Sequence, residues 1–166
     1  MDSYNEYIVK KKKDIKDYLI WAAACIGAFL CCFIVLSIEI ISTYIVILFW
    51  LVVGIIYAAY RVITSRNIEY EYAVTNGELD IDRITNKKRR KHILTIDTKA
   101  FEVFEPVSED FINRIKQINP GLTIHAESDI NSPKTYGAVF NKNGIKTCLY
   151  FQPSERILEA ISRRRR

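Results

Sequence analysis

The chain has 166 residues, 49% of them hydrophobic, and its 24 Lys and Arg outnumber 19 Asp and Glu to leave a net charge of +5. These averages suit one mildly basic domain, but from Tyr18 to Tyr60 there are 43 residues with a single charge, Glu39. One uniform soluble core is excluded, because such a core rarely holds an uncharged stretch long enough to cross a bilayer twice, and disorder is excluded there by the apolar content.

Residues 1–17 read as a basic N-terminal segment containing Lys10, Lys11, Lys12, Lys13 and Lys16. Residues 18–60 then divide into two apolar spans, 18–37 and 41–60, each close to the ~20 residues that cross ~30 Å of hydrocarbon at 1.5 Å per residue. Between them lies Ile38-Glu39-Ile40, which puts the one carboxylate at a turn where it reaches water or headgroups. The expectation is a transmembrane helical hairpin. A cleavable leader is excluded because apolar sequence resumes directly after Glu39. A buried soluble pair would need more cover than 106 further residues provide.

Lysines precede the first span, Arg61 and Arg66 follow the second, and the turn has no basic residue, so both termini are expected on the cytoplasmic side of the inner membrane. Tyr18 and Trp21 mark the way in, Tyr44 the turn, and Tyr57 and Tyr60 the way out. Ala23 and Gly27 on the first span, and Gly54 and Ala58 on the second, recur every four residues; they suit either close packing within the hairpin or a homo-oligomer seam. Cys25, Cys31, Cys32 and Cys148 have neither disulfide nor zinc-site spacing.

Residues 61–166 are the remaining domain, with a mainly strand-like pattern. Ile68, Tyr70, Tyr72 and Val74 alternate with Glu69, Glu71 and Ala73, and Leu79 and Ile81 with Asp80 and Asp82. Asn76-Gly77 between them suits a two-residue hairpin turn, which needs positive φ at both positions. A third strand is expected over His92 to Asp97 after the polar run Thr85 to Lys91, and a fourth over Ala100 to Glu105. Ser108 is the expected N-cap of a helix with Phe111, Ile112, Ile115 and Ile118 on one face, stopped by Pro120-Gly121. Gly121 to Glu127 reads as a fifth strand, and Tyr136 to Phe140 and Ile145 to Phe151 as a hairpin across Asn141 to Gly144. Pro153 and Ser154 open a last helix with Ile157, Leu158 and Ile161 inward.

Seven strands in meander order closed by one helix outline a PH-like barrel. The run Asn67 to Ile84 (NIEYEYAVTNGELDIDRI) with its following basic cluster, and Phe151 to Ile157 (FQPSERI), resemble uncharacterised bacterial membrane proteins with a two-helix anchor and a PH-like domain. The resemblance covers most of the chain, implies an α-helical transmembrane hairpin plus an α+β, mainly β, PH-like barrel with a C-terminal helix, and carries over no catalytic residue.

Two charged clusters stand out. Lys87, Lys88, Arg89, Arg90 and Lys91 follow the second strand, which returns toward the membrane end, so they are expected in a loop facing anionic lipid headgroups or simply solvated. Glu71, Asp80 and Asp82 fall together on the outer face of the first hairpin, where like charges need a cationic complement: the arginines at 163–166, a partner's basic surface, a divalent cation, or neighbouring lysines. His92 and His125 lie in no catalytic or metal motif, and no P-loop, nucleophile elbow or HExxH occurs, so neither cofactor nor metal is implied. Tyr70, Tyr72 and Phe104 alternate as core positions, not as a stacking platform, which argues against nucleic acid.

The expected function is a membrane-anchored, non-catalytic binding or scaffolding protein that contacts an unidentified protein partner, the anionic membrane surface, or both. The alternative is a metal-dependent or hydrolase-like enzyme using the acidic face.

Overall fold

The computed structural model describes residues 4–37 and 44–165, so the expected turn at Glu39, the first residues of the second apolar span and Arg166 lie outside the described residues. The chain forms two compact units: the segment up to Lys12 joins everything from Ile68 onward, and Lys13–Asn67 forms the other.

The smaller unit is two helices, α1 (Ile15–Ser37) and α2 (Ile45–Ser65). Both are long and apolar enough to cross a membrane. Large apolar side chains are exposed on them, among them Phe29, Phe33, Phe49 and Trp50. Half-buried residues include Ala24, Gly27, Ala28, Cys32 and Val35 on α1, and Leu48, Leu51, Val52, Ile55 and Ala59 on α2. Polar locks lie at one end. Asp17, 3% exposed, accepts from Arg66 Nε at 2.7 Å and sits 2.6 Å from its Nη2, while Trp21 Nε1 donates to the Ile63 carbonyl at 3.2 Å.

The larger unit begins with a strand that the basic N-terminal reading did not anticipate. β1 (Tyr4–Lys10) pairs antiparallel with β2 (Ile68–Thr75), so the two helices are an insertion between neighbouring strands of one sheet. β3 (Glu78–Thr85) and β4 (Arg89–Asp97) complete an antiparallel sheet in the order β1-β2-β3-β4. The β2–β3 turn is the two-residue Asn76-Gly77 loop, with φ of 52° and 89°. A single 3-10 turn, Thr98–Ala100, leads to the second sheet.

That sheet contains β5 (Val103–Pro106), β6 (Leu122–His125), β7 (Tyr136–Lys142) and β8 (Ile145–Phe151) in the order β5-β7-β8-β6. Among the described residues eight strands therefore replace the expected seven, and the meander fails here, because β6 runs parallel to β8 instead of pairing with β5 or β7. The cause is α3 (Glu109–Ile118), which crosses over between β5 and β6. Ser108 caps α3 by accepting from Phe111 N at 3.1 Å, and Asn119, left-handed at φ 48°, ends it one residue before Pro120.

The main core lies between the sheets and α4 (Glu155–Arg165). Tyr72, Val74, Leu79, Ile81, Leu94, Phe140, Phe151, Ile157 and Ile161 are all fully buried there. A second cluster packs α3 on the other face of the second sheet through Phe111 and Ile115 against Val139, Cys148 and Tyr150. Both faces of β7 and β8 are thus covered, which explains their unbroken runs of buried residues. Gly137 makes room for this helix: a Cβ there would stand 2.1 Å from Phe111 Cζ.

Candidate functional site

The charged residues singled out in the sequence meet on the outer face of the first sheet. Side chains alternate across a strand, so with Tyr70, Tyr72 and Val74 in the core, Glu69, Glu71 and Ala73 face outward. The register sets Glu71 opposite Asp82 and Ala73 opposite Asp80. On β4 a bulge opposite Ile81/Asp82 brings His92 beside Asp82 and Thr95 beside Asp80. The result is a pocket of about 200 Å³ lined by Glu71, Ala73, Asp80, Asp82, Arg90 and His92.

Arg90 sits at the centre of this face. Its Nη2 lies 2.5 Å from Glu71 Oε2 and its Nε lies 3.8 Å from Asp82 Oδ2. His92 Nδ1 is 2.9 Å from Asp82 Oδ1, and Thr95 Oγ1 hydrogen-bonds Asp80. Lys10 lies 3.9 Å from Glu69. Among the described residues the cationic complement of Glu71 and Asp82 is thus an arginine of β4, while Arg163 and Arg164 pair with Glu159 and Asp97. Burial, and next the hydrogen bond with the Glu6 carboxyl, push Glu71 above the usual carboxylate range, against the pull of Arg90.

The basic cluster is not one loop. Asn86 and Lys87, both at positive φ, form the turn with Lys88, whose N–H donates to the Thr85 carbonyl at 3.2 Å, and Arg89, Arg90 and Lys91 already belong to β4. A turn needs only these three residues, so the rest of the run extends the hairpin. All five cations are exposed, but Arg90 turns toward Glu71 while Lys87, Lys88, Arg89 and Lys91 make no ion pair among the described residues. Lys10, Glu69, Ile84 and Arg90 form one row across the sheet. Next to that row Lys11 N donates to the Ile68 carbonyl at 2.9 Å, so the basic turn occupies the end at which the chain leaves for α1 and returns from α2.

Of the small-residue set, Ala23, Gly54 and Ala58 are exposed and Gly27 is half-buried, and a Cβ on Gly27 or Gly54 would meet nothing within 4 Å. Sequence reasoning also missed the Asp17–Arg66 lock. Its signal was two opposite charges flanking the two apolar spans on the same expected side of the membrane.

Elsewhere, His125 stacks on Tyr150 at 5.2 Å and its Nδ1 is 2.8 Å from Glu127. Among the described residues no group of three or more His, Cys, Asp or Glu is placed to hold a metal ion. Cys148 is buried under α3, which pushes its thiol up to about 11.

Two four-stranded sheets around one core, closed by a C-terminal helix, define a PH-like domain, here with a pair of apolar helices. The family described as bacterial PH-like domain (DUF6106) matches residues 1–166, and the chain belongs to that family. No curated protein and no solved structure matches it. PH-like domains are generally non-catalytic.

Proposed function

We propose that this protein is a membrane-anchored, non-catalytic binding or scaffolding module of the bacterial inner membrane. Its helical hairpin crosses twice, and its PH-like domain stands in the cytoplasm against the anionic leaflet. The observation that carries this reading is the position of the basic turn: Lys87, Lys88 and Arg89 project from the end of the sheet to which both helices are covalently joined. Pairing of β1 with β2 further requires the chain before α1 and after α2 to lie on one side of any membrane the helices cross, and the flanking lysines and arginines favour the cytoplasmic side. Free cations near an anionic leaflet attract at roughly 1 kcal/mol each. With two spans already holding the protein, that attraction orients the domain instead of anchoring it.

The enzyme alternative loses support because the acidic face has Arg90 at its centre, where a divalent cation would need to sit.

The test uses the full chain in nanodiscs, with a photo-crosslinking amino acid in place of Lys88. Lipid adducts should form in discs containing anionic lipid, diminish as salt is raised, and be scarce in neutral discs. Equal adduct yields in both would remove the leaflet from the proposed function.

A further inference from the structure

A second basic cluster lies at the opposite end of the first sheet. The Asn76-Gly77 turn begins eight residues along the chain from Ile68, about 26 Å at ~3.3 Å per residue. Against it packs the last turn of α4, leaving an open furrow of about 500 Å³ whose polar lining includes Asn5, Asn76, Arg156, Arg163 and Arg164. The furrow is built, not a frayed tail. α4 continues to Arg165, Ile157 and Ile161 are fully buried beneath it, and the stem of Arg164 lies directly on Gly77, where a Cβ would stand 2.6 Å from Arg164 Nε.

Internal compensation is weak. Arg163 is 3.6 Å from Glu159, with both side chains more than two-thirds exposed, and Arg164 is 3.5 Å from Asp97. Among the described residues no carboxylate lies within 4 Å of Arg156. Among the described residues, three guanidinium forks and two carboxamides therefore face one cleft that contains a single acid, Glu159, and guanidinium forks match carboxylate oxygens two at a time.

Spacing selects the ligand. Arg156 and Arg163 are seven residues apart, two helical turns or ~10.5 Å on one face. That distance fits carboxylates three or four residues apart in an extended chain, at ~3.1–3.3 Å per residue. Among the described side chains of the lining, Ala160 is the one hydrocarbon and none is an aromatic ring that would stack a base. We propose that the furrow between α4 and the Asn76-Gly77 turn is a docking site for an extended acidic peptide segment of a partner protein, gripped at both ends by Arg156 and by Arg163 with Arg164. Its place at the end of the sheet remote from the helix connections leaves it accessible to soluble partners, and it does not depend on the leaflet contact of the basic turn.

The experiment is fluorescence anisotropy with the full chain in neutral-lipid nanodiscs. The probe is a fluorescein-labelled peptide of three glutamates separated by Ser-Ser pairs; the comparators are the same peptide with Gln for Glu, and a single-stranded DNA oligonucleotide of equal charge. The Glu peptide should bind, weaken with salt, and bind about tenfold more weakly to R156Q/R163Q. R114Q/K116Q, which removes two cations from α3, should bind as the parent does. Equal binding of the Gln peptide, or undiminished binding by R156Q/R163Q, overturns the proposal. So does an oligonucleotide that binds more tightly than the peptide through the same two arginines. Both substituted arginines are exposed, so the fold should be kept; if the double variant melts early, a loss in Arg163→Gln alone decides the matter.

Discussion

Arg90 holds its Nη2 2.5 Å from Oε2 of Glu71, a carboxylate that is 6% exposed and faces Asp82 across the β2–β3 ladder. Removing one member of such a pair leaves a desolvated charge beside a like one. Arg90→Ala should cost about 2 kcal/mol, less than the ~3–5 of a fully buried pair because the arginine is largely exposed. Denaturant unfolding of the full chain in micelles measures this. An Arg90→Ala variant as stable as the parent would show that Glu71 finds other compensation.

The same carboxyl gives a pH dependence. Glu71 is raised, by burial first and by Glu6 second. A carboxyl raised in the folded state favours folding while protonated. That contribution is complete below the unfolded-state value and is lost as pH climbs through the folded one. Glu71→Gln is always neutral, so relative to it the parent should lose melting temperature as pH rises from acid toward neutral. Parallel curves for the two proteins would contradict this assignment. The Arg90→Ala penalty should shrink on acidification for the same reason.

Gly137→Ala tests the seating of α3. The new methyl would stand 2.1 Å from Phe111 Cζ, and Phe111 is fully buried, so neither can move away freely. Overpacking of this kind should cost roughly 2–3 kcal/mol, read as a lower unfolding midpoint. The companion variant Phe111→Leu in the Gly137→Ala background should recover part of it.

Cys148 should resist alkylation. With its thiol pushed up to about 11, the thiolate fraction at neutral pH is on the order of 1 in 10,000, and α3 covers it. A polar iodoacetamide should leave it unmodified in the native protein and label it after unfolding, as peptide mass analysis shows. Rapid native labelling would mean that α3 opens readily.

A chain beginning at Asn67 should fail to fold as a monodisperse domain, because it lacks β1 and exposes the β2 edge with Tyr72 and Val74 behind it. Joining residues 4–12 to Ile68 through a short turn should restore it, since Lys11 N already bonds the Ile68 carbonyl. Amide dispersion in NMR spectra of the two proteins distinguishes the outcomes.

Local backbone demand made much of this fold legible. Asn76-Gly77 and Asn143-Gly144 adopt the positive φ that tight hairpins require, and Ser108 caps the helix that its spacing predicts. β1 was hidden because its strand identity depends on pairing with residues about 60–70 positions later, while Lys10 and the lysines after it read as a topology signal and Ile8 breaks the alternation of Tyr7 and Val9. The charges of the candidate site were visible, but their pairing was not. Whether Arg90 meets Glu71 is decided by a bulge and by how few residues the Asn86 turn consumes, and Lys87 at φ 55° is a conformation lysine rarely adopts.

The insertion of both apolar helices between β1 and β2 also orders events in time. During synthesis β1 leaves the ribosome first and has no partner until the whole hairpin and then β2 have followed. On the proposed topology, its sheet neighbours become available on the same side only after two crossings are complete. The head domain would then be its own checkpoint for insertion: a chain whose second helix fails to return leaves β1 across the bilayer from β2, with an unfinished sheet edge.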